Sequence, residues 1–193
     1  MRTCQGGAER WQSVQAALTA VAALAAETTE TESSEQRTDV INKAKNWVLV
    51  HDAVRPCVRT ADLYSLLRRC LYAAEQPETC NDGALLAAPV ADTLKRADAS
   101  LRVLNTVDRD QLWAACTPQL FKLEQLQQAL TRAAAAGIAI TDEASAIEFC
   151  GGRPMLVPCA KDNIKITYPQ DLELAALILQ AACGSVDFKR SQV

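Results

Sequence analysis

Val48-Leu49-Val50-His51-Asp52-Ala53-Val54-Arg55-Pro56 is the stretch that decides the fold. Its apolar opening reads as a buried β-strand. The strand stops at an acid, an arginine follows three residues later, and Pro56 ends regular structure. In an open α/β sheet, ligands gather beyond the carboxyl ends of strands. Asp52 and Arg55 therefore stand where a metal and a phosphate can be handled together. A carboxylate is a hard oxygen ligand suited to Mg²⁺. A guanidinium grips phosphate through two parallel hydrogen bonds. Taken alone, the pair reads as a surface ion pair after a core strand.

Working outward, helical and strand patterns alternate. Before the strand, Gly6-Gly7 leads into Arg10–Ala26, where Trp11, Val14, Ala17, Leu18 and Val21 recur at helical spacing. Ala26–Arg37 is rich in Glu, Thr and Ser and reads as a mobile, solvated loop. After the strand, Thr60 is a good N-cap for a helix carrying Leu63, Leu66, Leu67 and Leu71. Gly83–Val90 is a second apolar run. Leu123, Leu126 and Leu130 mark another helix, closed by Gly137 as a C′ glycine. Thr141-Asp142-Glu143 opens a helix that ends at Gly151-Gly152. Met155–Pro158 and Asn163–Thr167 are strand candidates. Pro169, at a favoured first helical position, starts a last helix whose buried stripe is expected to be Leu172, Ala175, Ala176 and Leu179. Strands separated by helices predict an α/β, mostly parallel sheet of Rossmann-like form.

Composition bounds the function. The chain has 193 residues and is 49% hydrophobic, enough for one sizeable core. A net charge of −3 does not recruit nucleic acid or anionic membrane. No apolar run approaches the roughly 20 residues of a membrane span, and the start carries no signal-peptide core. Eight cysteines include no Cys-x-x-Cys pair, and His51 is the only histidine, so zinc spacing is absent. Buried reduced thiols fit a cytoplasmic protein. Cys57 lies near His51 in sequence, but nothing supports a nucleophilic pair.

Polar clusters sit at the ends of apolar segments: Asp92–Arg96, Thr106–Arg109, Thr117–Gln119, Thr141–Ser145 and Asn163–Thr167. Each has a plain structural use. Thr141 caps a helix, Lys165 faces water, and Lys95, Arg96 and Arg109 form a solvated face. Together they supply the cations, hydroxyls and carboxylate that hold phosphates and a metal.

With Gly6-Gly7-x-x-Arg10-x-x-Ser13-Val14, Val48–Pro56, Pro89-Val90-x-Asp92-Thr93-x-Lys95-Arg96, Thr106-Val107-Asp108-Arg109-x-x-Leu112-Trp113 and Thr117-Pro118-Gln119-x-Phe121, these clusters form an ordered series. The series resembles the 2-C-methyl-D-erythritol 4-phosphate cytidylyltransferase family, the third enzyme of non-mevalonate isoprenoid biosynthesis. The resemblance implies a nucleotidyltransferase fold with a projecting β-arm. It also implies a reaction in which the substrate's phosphate oxygen attacks the α-phosphorus of CTP and pyrophosphate leaves. Asp52 would lie by the metal, Mg²⁺, and by the substrate's polar groups. Gly7, Ser13 and the Ala53 backbone would bind the cytidine moiety. Lys165 would contact both phosphoryl groups, and Arg109 would hold the sugar-alcohol phosphate for attack. Arg55, Thr93, Thr117 and Thr141 would line the sugar-phosphate site. The family's arm embraces a second subunit, so a homodimer is implied, with Thr93 and Arg109 serving the neighbour's site.

One domain is expected over 1–183, with an insertion at 26–45, a dimerisation arm at 89–112 and a tail at 184–193. Two departures stand out. The family opens with a strand and a glycine-rich loop ending in arginine, followed by Pro-Lys, and this chain has no Gly-x-Gly. An exposed apolar sheet edge and little turnover by the chain as given are expected. A truncated, non-catalytic dimerising domain is the alternative. Val54 replaces the usual alanine, which keeps ribitol 5-phosphate as a second substrate.

Overall fold

The computed structural model describes residues 3–29, 47–71 and 82–190, with side chains described through 24 in the first helix and through 183 in the last. The elements are α1 (Arg10–Thr29), β1 (Trp47–Val50), α2 (Thr60–Leu71), β2 (Ala84–Pro89), β3 (Leu94–Ala97) and β4 (Val103–Val107), followed by β5 (Trp113–Lys122), α3 (Leu123–Ala135), α4 (Glu143–Phe149), β6 (Met155–Pro158) and α5 (Pro169–Arg190). The helix α1 begins where its pattern predicts. It continues through 26–29, the start of the expected loop, and 30–46 lie outside the described residues.

The four-stranded sheet has the order β1-β5-β2-β6. The α/β class stands, but the described sheet is mixed, where a mostly parallel one was expected. β5 runs antiparallel to both its neighbours, β1 and β2, and β2 and β6 are the one pair bonded in parallel among the described strands. The reason lies in the connection. β2 and β5 are joined by the arm, with no crossover helix, and a hairpin-like return brings a strand back antiparallel. β5 was not foreseen because Thr117, Pro118 and Gln119 interrupt its apolar pattern. The register explains how the sheet accepts them. Leu85 pairs with Gln119 but Ala87 with Ala115, so β5 carries two extra residues there. Pro118 sits in that bulge, where a missing N–H breaks no ladder bond.

Strand alternation sends side chains to two cores. On one face, Leu85 and Phe121 pack with Leu18, Leu126, Leu130 and Ile147 from α1, α3 and α4. On the other, Ala84, Leu86 and Leu120 pack with Leu66 and Cys70 of α2 and Val157 of β6. Leu126 and Leu130 are fully buried, and truncating either to alanine would cost about 2–5 kcal/mol. At Gly83, with φ +85°, a Cβ would lie 2.2 Å from the Phe121 ring, so only glycine starts β2 here.

The helix ends follow local rules. Gly137 closes α3 with φ +68°. Its N–H donates to the Ala134 carbonyl and that of Ile138 to the Ala133 carbonyl, a Schellman motif. At α4 the cap is Asp142, not Thr141. Its carboxylate accepts from the Ser145 N–H, and the Ser145 hydroxyl oxygen accepts from the Asp142 N–H. α2 begins at Thr60 itself, so its capping carbonyl belongs to Arg59. Two further expectations fail. Asn163–Thr167 is irregular, laid against the Asp52–Arg55 turn through the Ile166 N–H to Val54 carbonyl bond. The stripe of α5 is buried only at Ala175; Leu172, Ala176 and Leu179 are exposed, because no described element covers them. The α5 backbone stays helical to Arg190, beyond the expected domain end at 183.

The arm is the β3–β4 hairpin, anchored at its base by the Val90 N–H to Leu112 carbonyl bond. Leu101, Val103 and Leu104 are 88%, 62% and 62% exposed. Among the described residues β1 pairs only with β5, so it is an edge strand, and Leu49 on it is exposed.

Candidate active site

The site is built where β1 ends. Beyond Val50, paired with Gln119, the chain turns, and the Arg55 N–H donates to the Asp52 carbonyl at 3.0 Å. Three cations converge on the Asp52 carboxylate. Arg10 donates to Oδ1 at 3.0 Å, while Lys165 Nζ and Arg55 Nε face Oδ2 at 3.6 and 3.7 Å. They come from the start of α1, the turn after β1 and the segment before α5. Burial alone would push the Asp52 carboxyl up. Arg10, Lys165 and Arg55 outweigh it and hold the group below the usual carboxylate range.

Arg10 also grips Glu143 at the start of α4, donating from both terminal nitrogens at 2.6 and 3.0 Å. Burial disfavours its charge. Glu143 and Asp52 overcome that and raise its pKa above the ordinary guanidinium value. The Glu143 carboxylate is buried, so this charge needs its partner.

The bulge in β5 brings Thr117 to the same turn. Its hydroxyl oxygen accepts the Asp52 N–H at 3.0 Å and lies 3.0 Å from His51 Nδ1. His51 Nε2 lies 2.9 Å from the Arg55 carbonyl. Asn163, buried, donates from its side-chain amide to the Thr117 carbonyl at 2.9 Å, and its own carbonyl accepts from Arg55 Nη1 at 2.8 Å.

Of the residues singled out from sequence, Asp52, Arg55, Thr117 and Lys165 come together. Ala53 lies exposed in the same turn. Gly7 and Ser13 meet each other, the Gly7 N–H donating to Ser13 Oγ at 3.0 Å. Thr141 is exposed beside the α4 cap. Thr93 and Arg109 lie on the arm. Arg109 donates to the Ala91 carbonyl, and no described hydrogen bond or ion pair joins either residue to the Asp52 cluster. Sequence reasoning gave no role to Arg10, Glu143, His51 or Asn163. The signal for each was its place inside a quoted motif.

The fit to a metal is poor. Asp52 is a single carboxylate, and cations face both of its oxygens. No group of three or more potential ligands stands together among the described residues. The expected role of Asp52 as a metal ligand thus meets a site already neutralised by protein. What the cluster offers is a convergent set of guanidinium and ammonium groups, ordered by one carboxylate, suited to phosphate. No helix among the described residues is long and apolar enough to cross a membrane.

In sequence and in fold the chain is similar to known proteins. A curated 2-C-methyl-D-erythritol 4-phosphate cytidylyltransferase from Shewanella loihica is 52% identical over 138 residues, covering 72% of this chain and 55% of that protein. The Vibrio vulnificus (strain YJ016) protein of the same name is 47% identical over 174 residues, covering 90% of this chain and 63% of that one. The chain therefore spans little more than half to under two thirds of these relatives' length. The crystal structure of the Francisella tularensis protein of that name superposes with a TM-score of 0.67 at 34% identity, covering 91% of this chain and 70% of that one. That from Thermus thermophilus superposes with 0.63 at 31% identity, covering 91% and 71%. With a sequence model of the family "IspD: 2-C-methyl-D-erythritol 4-phosphate cytidylyltransferase" matching residues 23–181, the chain belongs to that family.

Proposed function

We propose that this chain serves cytidylyl transfer from CTP to 2-C-methyl-D-erythritol 4-phosphate, with release of pyrophosphate. The observation that carries the reading is the convergence of Arg10, Arg55 and Lys165 on Asp52 at the carboxyl end of β1. Attack of one phosphate on another brings negative charges together. Positioned cations lower that barrier without covalent participation by the protein. Lys165 is half exposed and its contact with Asp52 is long, so it is free to turn toward a phosphoryl group. Arg55, more buried, is held by Asn163 and presents a fixed edge. Asp52 orders these cations, which takes the place of metal ligation. A divalent cation would enter with the phosphates of CTP.

Gly7, Ser13 and Ala53 are assigned to the cytidine side, and Thr141 to the sugar-phosphate side. The exposed leucines of the arm favour a second copy of this chain as its partner. Thr93 and Arg109 would then act in the partner's site, consistent with their lack of contact to Asp52 in their own chain. A cytoplasmic location fits a buried thiol such as Cys57.

The test is binding and single-turnover chemistry. Titration calorimetry with CTP and with the sugar phosphate should give saturable binding. Lys165→Ala or Arg55→Ala should weaken it roughly tenfold or more, the scale of a lost charge-assisted hydrogen bond. Phosphorus NMR of a concentrated mixture should show the CDP diester. Absence of binding for both ligands would overturn the proposal.

A further inference from the structure

The turn that carries Asp52 and Arg55 is braced by an imidazole that the proposed chemistry does not use. We infer that His51 is a positioning residue, acting through its Nε2–H tautomer. The argument rests on donors and acceptors. The Arg55 carbonyl, 2.9 Å from Nε2, can only accept, so Nε2 carries the ring proton. In the neutral ring Nδ1 is then an acceptor, and the Thr117 hydroxyl, 3.0 Å away, donates to it. The same hydroxyl oxygen accepts the Asp52 N–H at 3.0 Å. The bonds run in one direction, from the Asp52 amide through Thr117 to Nδ1, and from Nε2 to Arg55. The other tautomer would set the Nε2 lone pair against the Arg55 carbonyl.

Two consequences follow. First, His51 ties the far end of the turn to β5, so the Asp52 and Arg55 side chains start from a fixed backbone. Positioning to within a fraction of an ångström is what phosphoryl transfer asks of a protein. Second, the Thr117 hydroxyl proton is committed to the imidazole, and Thr117 is buried. Thr117 therefore shapes the sugar-phosphate site by holding the turn and does not donate to the ligand. The inference deepens the proposed site, but its test needs no substrate, so failure of either leaves the other standing.

His51 is the only histidine in the chain, so nitrogen-15 NMR reads its ring without assignment by mutation. At a pH of about 8.5, well above the ordinary imidazole value, a one-bond proton coupling should appear at Nε2 and none at Nδ1. Thr117→Val should move the Nδ1 signal toward that of an imidazole nitrogen without a donor. A proton on Nδ1, or an Nδ1 signal unmoved by Thr117→Val, would overturn the inference. Amide exchange gives a second reading. His51→Phe should speed exchange of the Asp52 N–H roughly tenfold, the scale of one lost hydrogen bond. His51→Asn, whose side-chain oxygen replaces Nδ1 as acceptor, should restore protection. Equal exchange in the two variants would count against the brace. If His51→Phe does not fold, the wild-type and Thr117→Val spectra decide.

Discussion

Arg10 and Glu143 lie 133 residues apart in sequence and meet through two parallel hydrogen bonds of 2.6 and 3.0 Å. Arg10 then reaches Asp52 with its Nε. One guanidinium thus couples the start of α1, the turn after β1 and the start of α4.

Breaking that pair strands a charge. Arg10→Ala leaves the buried Glu143 carboxylate unpaired and should destabilise the fold by about 3–5 kcal/mol, the range for removing one partner of a buried ion pair. Urea unfolding measures it. Glu143→Ala in the Arg10→Ala background should cost little more, since it removes the carboxylate that the first change left unpaired. Two additive losses in the double-mutant cycle would show that the residues act independently.

Acid should act through Asp52. Its pKa lies below the ordinary value when folded, so as pH falls the unfolded chain takes up the proton first. The stabilisation is whole above about pH 4, the unfolded value, and is lost as pH falls through the lower folded value. Melting temperature against pH should therefore fall more steeply below pH ~4 for wild type than for Asp52→Asn. Parallel curves would remove Asp52 from the acid response.

The cap of α4 is a separate lever. Asp142 accepts from the Ser145 N–H at 2.9 Å and from the buried Gln119 side chain at 2.8 Å. Asp142→Ala should cost about 1–2 kcal/mol in urea unfolding, while Thr141→Ala should change stability by less than about 0.5 kcal/mol. The reverse order would restore Thr141 as the cap.

Thiol chemistry should be uneven. Burial first, then the neighbouring Cys116, pushes the Cys159 thiol up to about 12. The thiolate is the reactive form. Cys4 and Cys183 are exposed, and Cys57 and Cys70 are buried. Timed alkylation near neutral pH, read by peptide mass spectrometry, should label Cys4 and Cys183 well before Cys57, Cys70 and Cys159. Early labelling of Cys159 would contradict this.

The arm gives the last prediction. Leu104→Asp puts a charge on its most apolar stretch and should shift a dimer toward monomer in sedimentation velocity. A dimer indifferent to Leu104→Asp would remove the arm from the contact.

The sequence by itself determined the local elements. The strand ending before Asp52, the helices around Leu18, Leu66 and Leu126, the C′ glycine at 137 and Pro169 at the head of α5 all follow from short-range periodicity and backbone preference. It also determined the family, because the motif residues stand in order along the chain. What tertiary structure decided was of longer range. β5 was hidden because a proline inside a strand is tolerable only at a bulge, and a bulge is defined by its partner strand. The direction of β5 followed from the arm's return path, which composition does not encode. Leu172, Ala175, Ala176 and Leu179 of α5 read as a buried stripe, but burial needs a covering element, and of these four only Ala175 is buried. Asp52 and Arg55 were legible as a charged pair in the turn after a strand. That Arg10 and Lys165 crowd the same carboxylate depends on Coulomb contacts made only when three distant segments fold to within about 4 Å of one another.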